Sequence, residues 1–418
     1  MEVYHIQGGV RLSGEVTLSG AKNAILPILA ATVAIEGVTV IRGCPNLSDV
    51  RIMMKILEEL GCRVHLDQGV ITVDATTIHR DLIPEKLSRE MRSSMFLMGP
   101  MLARCGSVIL SYPGGCEIGL RPIDIHLKAL RSLGVVINET NASLECTAAK
   151  MTGTEIQLDF PSVGATENAI MAATGAEGIT RIHNAAKEPE IQDLARFLNS
   201  AGARIRGAGT GSITIQGKRR LHGVEHKVIS DRIEAGTFLT AIAITGGEGS
   251  VRNVEPSYLG LVLSKLREAG CKVREEKGLI HIKAPSRPTR LERITTMPYP
   301  GFPTDLQSQF LSLASIAKGT SIIRETIFEN RFKQADELIR MGAKIQLFDQ
   351  TAIVSGVEQL TGARVKARDL RGGAALVIAG LAAEGKTVIE NICYVDRGYD
   401  KFETGLSSLG ARIRRVSE

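Results

Sequence analysis

The sequence contains no tryptophan, and aromatic residues make up only 4% of its 418 residues. Lys and Arg are spread along the chain without a dense block, although the net charge is +6. Proteins that bind nucleic acid usually show a basic stripe, with stacking aromatics where the strand is single. The composition therefore argues against a nucleic-acid partner and suits smaller anions. A charge of this size also fits an ordinary solvated surface, so charge alone decides nothing.

Long apolar runs are missing as well. The longest, such as 374–383, fall short of the ~20 residues that cross a bilayer, so no membrane insertion is predicted. The first ten residues, MEVYHIQGGV, include a glutamate and a histidine and lack the apolar segment of a secretory signal. The seven cysteines are dispersed without a CxxC pair, which is typical of reduced thiols. We therefore expect a cytoplasmic protein.

The metal-binding motif HExxH is absent from the sequence. The segment 380–387 (GLAAEGKT) fits the letters of GxxxxGK[ST], but it ends an apolar helix and leads into a strand, the reverse of the order that a phosphate-binding loop requires, so no such loop is predicted. The segment 207–211 (GAGTG) resembles a dinucleotide fingerprint, but it precedes the strand-like SITIQ and so predicts a hairpin loop. His222 and His226 have helical spacing, yet Gly223 favours loop or strand there. No thiol lies close in sequence, so no metal site is predicted.

What the sequence does contain is an internal repeat. The phrase Leu-x-x-(small or apolar)-Gly-x-x-(Val or Ile) recurs six times, with successive glycines 68 to 73 residues apart. Each phrase is typical of a helix end, a glycine C-cap and a following strand. The glycines are Gly61, Gly134, Gly202, Gly270, Gly342 and Gly410.

Each repeat continues with a second strand, as at 69–73, 212–216 and 279–283, and then with an apolar helix of small residues and another strand. The predicted unit is of the βαβαββ type and about 70 residues long, which exceeds an ordinary solenoid repeat. Six units divide naturally into two three-fold domains, in agreement with the two domains expected from the chain length.

A polar or charged cluster stands at the start of each small-residue helix. Because a helix N-terminus favours anions, these clusters predict binding of phosphate or carboxylate. Ordinary helix capping by Ser, Asp or Asn is the alternative. Lys or Arg in several clusters favours the functional interpretation. The clusters are 19–23, 89–94, 162–164, 231–232, 303–305 and 369–371.

Together with the repeats, six motifs closely resemble the UDP-N-acetylglucosamine 1-carboxyvinyltransferases of the EPSP synthase (enolpyruvyl transferase) superfamily, over essentially the whole chain. The resemblance implies an α/β fold of two inside-out α/β barrels, with domain I at 22–229 and domain II combining 1–21 with 230–418. The motifs are SGAKNA (19–24), PGGCEIGLRPID (113–124), FPTDLQSQF (302–310), ENRF (329–332), DLRGG (369–373) and DRGY (396–399).

The same resemblance implies a reaction and its substrates. The enolpyruvyl group of phosphoenolpyruvate is transferred to the 3-hydroxyl of UDP-N-acetylglucosamine and phosphate is released, as the first committed step of peptidoglycan biosynthesis. No metal or organic cofactor is expected, because phosphate as leaving group and stabilisation by Arg and Lys suffice.

Cys116 matches the cysteine of the family's Gly-Gly-Cys loop. A thiol with an ordinary pKa near ~8.5 is mostly protonated at neutral pH, so it can deliver a proton to C3 of phosphoenolpyruvate. Its thiolate can also attack C2, so the resemblance implies a covalent phospho-lactoyl adduct and alkylation by fosfomycin. Glu117 follows it where a smaller residue is common, and can alter the acidity of the thiol. The other six cysteines are expected to be packing residues.

The remaining catalytic roles follow from the charges of the substrates. Lys22, Arg121 and Arg397 are expected to clamp the phosphate and carboxylate of phosphoenolpyruvate. Asp305 is the expected general base for the 3-hydroxyl, with a helix cap or an acid in the first turn of a helix as the alternative. Asp369 is a second candidate for proton handling.

Further contacts are implied for both substrates. Asn23 is expected to donate a hydrogen bond to the tetrahedral intermediate, and Arg371 to join the phosphoenolpyruvate site. For UDP-N-acetylglucosamine the expected contacts are Arg92, Arg121, Pro122, Ile123, Asp124, Ile125, Ser162, Val163, Gly164, Asp305, Ile327 and Arg331.

Three other functions remain open at this point. A shikimate-pathway transferase uses the same donor but resembles the chain less. A degenerate paralogue that only binds nucleotide sugar is disfavoured by the intact Lys22, Cys116, Asp305 and Arg397. A structural repeat scaffold leaves the charged helix starts unexplained.

Overall fold

The computed structural model describes residues 2–112, 123–140 and 142–418. These residues form two compact units. Unit I comprises the described residues of 20–229, and unit II comprises 2–19 with 230–418. Each unit has its own hydrophobic core. No helix of the described residues has the length and apolar character needed to span a bilayer.

Strands and helices alternate along both units. The strands are β1 (Glu2–Gln7), β2 (Ser13–Thr17), β3 (Val38–Arg42), β4 (Arg63–Asp67), β5 (Val70–Asp74), β6 (Ser107–Ser111), β7 (Val136–Glu139), β8 (Ser143–Thr147), β9 (Glu155–Gln157), β10 (Ile179–His183), β11 (Arg204–Arg206), β12 (Ser212–Gln216), β13 (Glu225–Lys227), β14 (Glu248–Val254), β15 (Lys272–Glu276), β16 (Gly278–Lys283), β17 (Arg293–Thr295), β18 (Thr320–Arg324), β19 (Lys344–Phe348), β20 (Thr351–Ser355), β21 (Arg364–Lys366), β22 (Lys386–Glu390) and β23 (Arg412–Ser417).

The α-helices are α1 (Lys22–Ala31), α2 (Ser48–Glu59), α3 (Glu85–Glu90), α4 (Met98–Cys105), α5 (Asp124–Ser132), α6 (Val163–Gly175), α7 (Pro189–Ser200), α8 (Arg232–Ile244), α9 (Gly260–Glu268), α10 (Gln307–Ile316), α11 (Ala335–Arg340), α12 (Leu370–Ala382) and α13 (Phe402–Ser408). Short 3-10 helices span Thr32–Ala34, Arg92–Leu97, Pro256–Leu259, Thr304–Leu306 and Ile392–Arg397.

The described residues form six small sheets, of which five have mixed direction and one, β6-β8-β7, is antiparallel. In a typical sheet β9 runs parallel to β10, β10 antiparallel to β12, and β12 antiparallel to β11. The chain order β9-α6-β10-α7-β11-β12 is the predicted βαβαββ unit. The strand orders are β13-β3-β5-β4, β6-β8-β7 and β11-β12-β10-β9 in unit I, and β15-β16-β14-β2, β17-β18-β20-β19 and β21-β22-β1-β23 in unit II.

The small-residue helices lie inside each unit and the sheets lie outside. All residues of α8 and α10 are buried, and α1, α6 and α12 are buried over most of their length. A helix that is apolar on every side needs this position. Strands such as β18 alternate between exposed and buried residues, with one face towards solvent. The predicted inside-out α/β arrangement is therefore confirmed.

The repeat glycines take the conformation that the sequence predicts. All six have positive φ, between +84° at Gly410 and +107° at Gly202. A residue with a side chain is strained in this region, so glycine suits the end of a helix that turns directly into a strand. At Gly202 the amide donates to the carbonyl of Asn199 at 3.1 Å, which closes the last turn of α7.

Candidate functional site

Asp305 lies in the 3-10 turn Thr304–Leu306, directly before α10, and its carboxylate contacts two buried guanidinium groups. Nη2 of Arg371 donates to Oδ2 at 3.0 Å, and Nη2 of Arg331 donates to Oδ1. Arg331 is 3% exposed and Arg371 is 2% exposed. Among the described residues no side chain caps this turn or α10, so Asp305 is not an N-cap. It does lie in the first turn of the 3-10 helix, which agrees with the other structural alternative for this residue, an acid in the first turn.

Both arginines have further N–H donors besides those that contact Asp305. Nε and Nη1 of Arg371 and Nε of Arg331 are buried without a hydrogen-bond partner among the described residues. Burial opposes the charge of Arg371, but Asp305 and its other neighbours hold the pKa of its guanidinium above the ordinary value. An unsatisfied buried donor costs about 1–3 kcal/mol, and an anionic ligand can offset that cost.

Lys22 is the first residue of α1, and it is buried together with a carboxylate. Its Nζ lies 2.8 Å from Oδ2 of Asp49, which belongs to the first turn of α2. Lys22 is 8% exposed and Asp49 is 2% exposed. A buried ammonium needs a partner of opposite charge, and Asp49 supplies one. Ala21 precedes α1 without a side-chain cap, and Asn23 follows on the same first turn.

Three other helix starts carry side-chain caps. Oγ of Ser162 accepts from the amide of Ala165 at 3.3 Å. One carboxylate oxygen of Asp231 accepts from two amides of α8, at 2.7 and 3.0 Å. One oxygen of Asp369 accepts from the amides of Arg371 and Gly372, at 3.0 and 2.9 Å. The capping alternative is therefore observed at these three positions, and the proton-handling role of Asp369 stays a prediction.

His126 is a candidate site residue that the sequence did not suggest. Burial, together with the positive charge of Arg92, lowers its pKa to about 4, so the imidazole is neutral at pH 7. Its Nδ1 accepts from Nδ2 of Asn168 at 2.9 Å, which leaves the proton on Nε2. A Cβ on Gly164 would lie 2.9 Å from Cε1 of His126. Arg92, Gly164 and His126 are thus neighbours, and the available signal was that His126 follows the predicted nucleotide segment 121–125 directly.

The described part of that segment borders a cavity. Ile123 and Ile125 are half-buried and Asp124 is exposed at the start of α5. The cavity has a volume of about 440 Å³ and is lined by Ile123, Asp124, Leu127, Lys128, Arg131 and Glu139.

Arg397 ends the 3-10 helix Ile392–Arg397 and is half-buried. The residues on either side of it are anchored. Arg415 donates to Asp396 at 3.0 Å, and the hydroxyl of the buried Tyr399 lies 2.9 Å from Oγ1 of Thr237. The guanidinium of Arg371 lies 5.4 Å from the centre of the Tyr399 ring.

The predicted residues Cys116, Arg121 and Pro122 lie outside the described residues. The six cysteines within the described ranges are free. No group of three or more His, Cys, Asp or Glu side chains in those ranges could hold a metal ion. In unit II the structure brings together Asp305, Arg331 and Arg371, whereas in unit I Arg92 and Gly164 each lie close to His126.

Comparison with known proteins gives consistent matches. A family model described as EPSP synthase (3-phosphoshikimate 1-carboxyvinyltransferase) matches residues 6–406. The chain is 54% identical over 416 residues to UDP-N-acetylglucosamine 1-carboxyvinyltransferase 2 of Caldanaerobacter subterraneus subsp. tengcongensis, with 100% of both chains covered. It is 53% identical over 421 residues to UDP-N-acetylglucosamine 1-carboxyvinyltransferase 1 of Symbiobacterium thermophilum, covering 99% of this chain and 95% of that relative.

Solved structures agree on the fold. The enolpyruvyl transferase NikO from Streptomyces tendae has a TM-score of 0.89 at 26% identity, covering 100% of this chain and 99% of that one. EPSP synthase from Acinetobacter baumannii has a TM-score of 0.77 at 20% identity over 100% of both chains, which shows the same fold. The family model and the relatives at half identity together establish that this chain belongs to the EPSP synthase family and, within it, to the UDP-N-acetylglucosamine 1-carboxyvinyltransferases.

Proposed function

We propose that this chain transfers the enolpyruvyl group of phosphoenolpyruvate to the 3-hydroxyl of UDP-N-acetylglucosamine by addition and elimination, with release of phosphate. The observation that carries the proposal is the Asp305 carboxylate held between Arg331 and Arg371, which retain buried donors. A carboxylate in this setting can act as a base beside donors that suit an anionic substrate, which supports the proposal. In the cell the reaction is the first committed step of peptidoglycan biosynthesis, and we assign it to the cytoplasm.

The addition step uses an acid and a base. The Cys116 thiol gives its proton to C3 of phosphoenolpyruvate, and positive charge develops at C2. Asp305 takes the proton of the sugar 3-hydroxyl while that oxygen bonds to C2, which yields a tetrahedral intermediate. The thiolate of Cys116 can attack the same C2 instead, which gives the phospho-lactoyl adduct.

The elimination step reverses the proton transfer. C3 loses a proton, the bond from C2 to the phosphate oxygen breaks with its electron pair, and the vinyl ether and phosphate leave. Asp369 is our second candidate for handling this proton. Its Oδ1 already accepts hydrogen bonds from two backbone amides, so Oδ2 is the atom that would accept or donate the proton.

The anions are held by cations and by donors that burial has preorganised. Lys22, Arg121 and Arg397 clamp phosphoenolpyruvate, Arg371 adds its spare Nε and Nη1, and Asn23 donates to the tetrahedral intermediate. Preorganised donors stabilise charge that develops in the transition state without a cost of reorganisation. No metal or organic cofactor has a step in this scheme.

The proposed contacts of the nucleotide sugar come from several segments of the chain. Residues 121–125 take the uracil and ribose, and Ser162, Val163 and Gly164 take the diphosphate, with Arg92 beside them. Ile327 and Arg331 contact the sugar side. The neutral His126, next to Arg92 and Gly164, offers an Nε2 proton to the same ligand.

A phosphate-release assay tests the reaction and its acceptor. With phosphoenolpyruvate and UDP-N-acetylglucosamine we expect stoichiometric phosphate, and with shikimate 3-phosphate in place of the nucleotide sugar we expect none. Cys116→Ser should abolish release, and fosfomycin should block the unsubstituted enzyme while adding its mass at Cys116. Phosphate release with shikimate 3-phosphate alone would establish the shikimate alternative. Binding of UDP-N-acetylglucosamine without any release would indicate a non-catalytic paralogue.

A further inference from the structure

Glu325 is a fully buried carboxylate that follows β18, and four donors surround it. Oε1 accepts from Oγ1 of Thr296 at 2.8 Å and from the amides of Ile327 and Phe328 at 2.8 and 3.2 Å. Oε2 accepts from Oγ1 of Thr304 at 2.9 Å. Glu325 is 0% exposed, so these hydrogen bonds take the place of the hydrogen bonds that its carboxylate would make with water.

Three of these four donors come from two segments of the proposed site. Thr304 precedes Asp305 in the same 3-10 turn, and Ile327 is a proposed contact of the nucleotide sugar. A single carboxylate therefore fixes the backbone that carries the base and the backbone that faces the acceptor.

Asp305 is restrained from two directions as a result. Arg331 and Arg371 hold its carboxylate oxygens, whereas the bond from Thr304 to Glu325 holds the main chain next to it. A base must lie within hydrogen-bond reach of the hydroxyl that it deprotonates, and an error of about 1 Å can cost about 100-fold in rate. Holding both the carboxylate of Asp305 and the main chain beside it meets this requirement.

Glu325 has a local structural role, because an apolar side chain in its place would leave two hydroxyls and two amides without this acceptor. Burying a carboxylate costs several kcal/mol, and the four hydrogen bonds offset that cost. The same bonds join Thr304 to Ile327 and Phe328 through a single side chain.

We propose that Glu325 is a positioning residue for the enolpyruvyl transfer: through Thr304 it sets the place of the Asp305 carboxylate relative to the acceptor hydroxyl. This inference rests on the proposed role of Asp305 as general base. It identifies a residue that touches neither substrate and acts through its two neighbours.

Thr304→Val tests the link, because it keeps the shape of the side chain and removes the bond to Glu325. We expect kcat to fall about 10-fold while the KM for UDP-N-acetylglucosamine changes less than about twofold. Thr304→Ser, which restores the hydroxyl, should recover kcat. The matched control is Thr326→Val, because the Thr326 hydroxyl donates to the carbonyl of Thr296 rather than to Glu325.

A double-mutant cycle separates positioning from general damage. If Glu325 acts through Asp305, Thr304→Val should lower kcat by less than about twofold in an Asp305→Asn background. A full further 10-fold loss in that background, or an equal loss in Thr326→Val, overturns the inference and leaves the base assignment intact. Full activity of Asp305→Asn alone overturns the base assignment and the inference together.

Discussion

The starts of the inner helices fall into two groups, which differ in whether a protein side chain accepts hydrogen bonds from the first amides of the helix. At α6, α8 and α12, the side chains of Ser162, Asp231 and Asp369 accept from these amides. At α1, at α10 and at the turn Arg92–Leu97, no side chain of the described residues caps the start.

The uncapped starts are the ones that carry Lys22, Arg92 and Asp305, three of the residues proposed to meet substrate. A cap satisfies the backbone within the protein, whereas an uncapped start leaves its positive end for a ligand. Equivalent positions of the repeat therefore differ in their first amides, which a side chain satisfies at the capped starts and which stay available at the uncapped ones. The capped starts of α6 and α12 are also proposed to meet substrate, through residues 162–164 and Arg371. The predictions below test that division.

The largest effect is expected at Asp305. Asp305→Asn keeps the size of the side chain but removes the base, so kcat should fall by about 100- to 10,000-fold. Binding of UDP-N-acetylglucosamine, measured by calorimetry, should change far less. Equal losses of turnover and affinity would indicate a binding role instead.

A smaller but still large effect is expected at Lys22. Lys22→Met removes the ammonium from an uncapped start, so kcat/KM for phosphoenolpyruvate should fall by about 100-fold, because one charge contact in a catalytic site is lost. The variant also leaves Asp49 buried without its ammonium, so Lys22→Met with Asp49→Asn is the matched control for stability. If the double variant regains activity, Lys22 is a structural cation.

Asp369 should behave differently if it is chiefly a cap. Asp369→Ala should lower the free energy of unfolding by about 1 kcal/mol, and Asp369→Asn should keep both stability and the cap. Turnover of Asp369→Asn is the deciding measurement. Activity near that of the unsubstituted enzyme places Asp369 with the caps, whereas a loss comparable to that of Asp305→Asn establishes it as a second proton-transfer group.

The capped start of α8 contains a titrating acid, Glu234, which accepts from the amide and hydroxyl of Ser19 at 2.9 and 2.8 Å. Burial raises the pKa of Glu234 to about 8, and Asp231 contributes to the rise. The folded chain thus holds a proton that an unfolded chain loses near pH ~4.3. Stability from this proton is complete below that pH and is lost as the pH rises to about 8.

Glu234→Gln should remove this pH dependence. We expect its thermal midpoint to exceed that of the unsubstituted chain by roughly 3 °C at pH 8.5 and to match it at pH 4. Differential scanning calorimetry at the two pH values measures the difference. Parallel curves for the two chains would show that Glu234 does not titrate in this window.

The repeat was predictable because it rests on local signals. Helix-ending glycines, small-residue helices and alternating strands each follow from neighbouring residues, and all appear in the structure. The three-residue strands, such as β9, are too short to show alternation, so the sequence predicted the type of unit but not which residues form these strands. Such a strand is set by pairing with its neighbour.

The contacts of the site were much less predictable. Arg331 and Arg371 are 26 and 66 residues from Asp305, and the sequence does not say that both meet its carboxylate. Glu325 has no motif of its own, since its role depends on donors brought together by folding. His126 was missed for the same reason, because its hydrogen bond to Asn168 spans 42 residues.

A crystal structure of Asp305→Asn with UDP-N-acetylglucosamine and phosphoenolpyruvate bound tests directly whether capped and uncapped helix starts differ in how they meet the ligands. We predict that Lys22 contacts the anions of phosphoenolpyruvate, that the sugar 3-hydroxyl lies within hydrogen-bond distance of the substituted side chain, and that Asp231 and Asp369 keep their caps. Substrate anions that displace those two aspartates, with Lys22 remote from both ligands, would contradict the account.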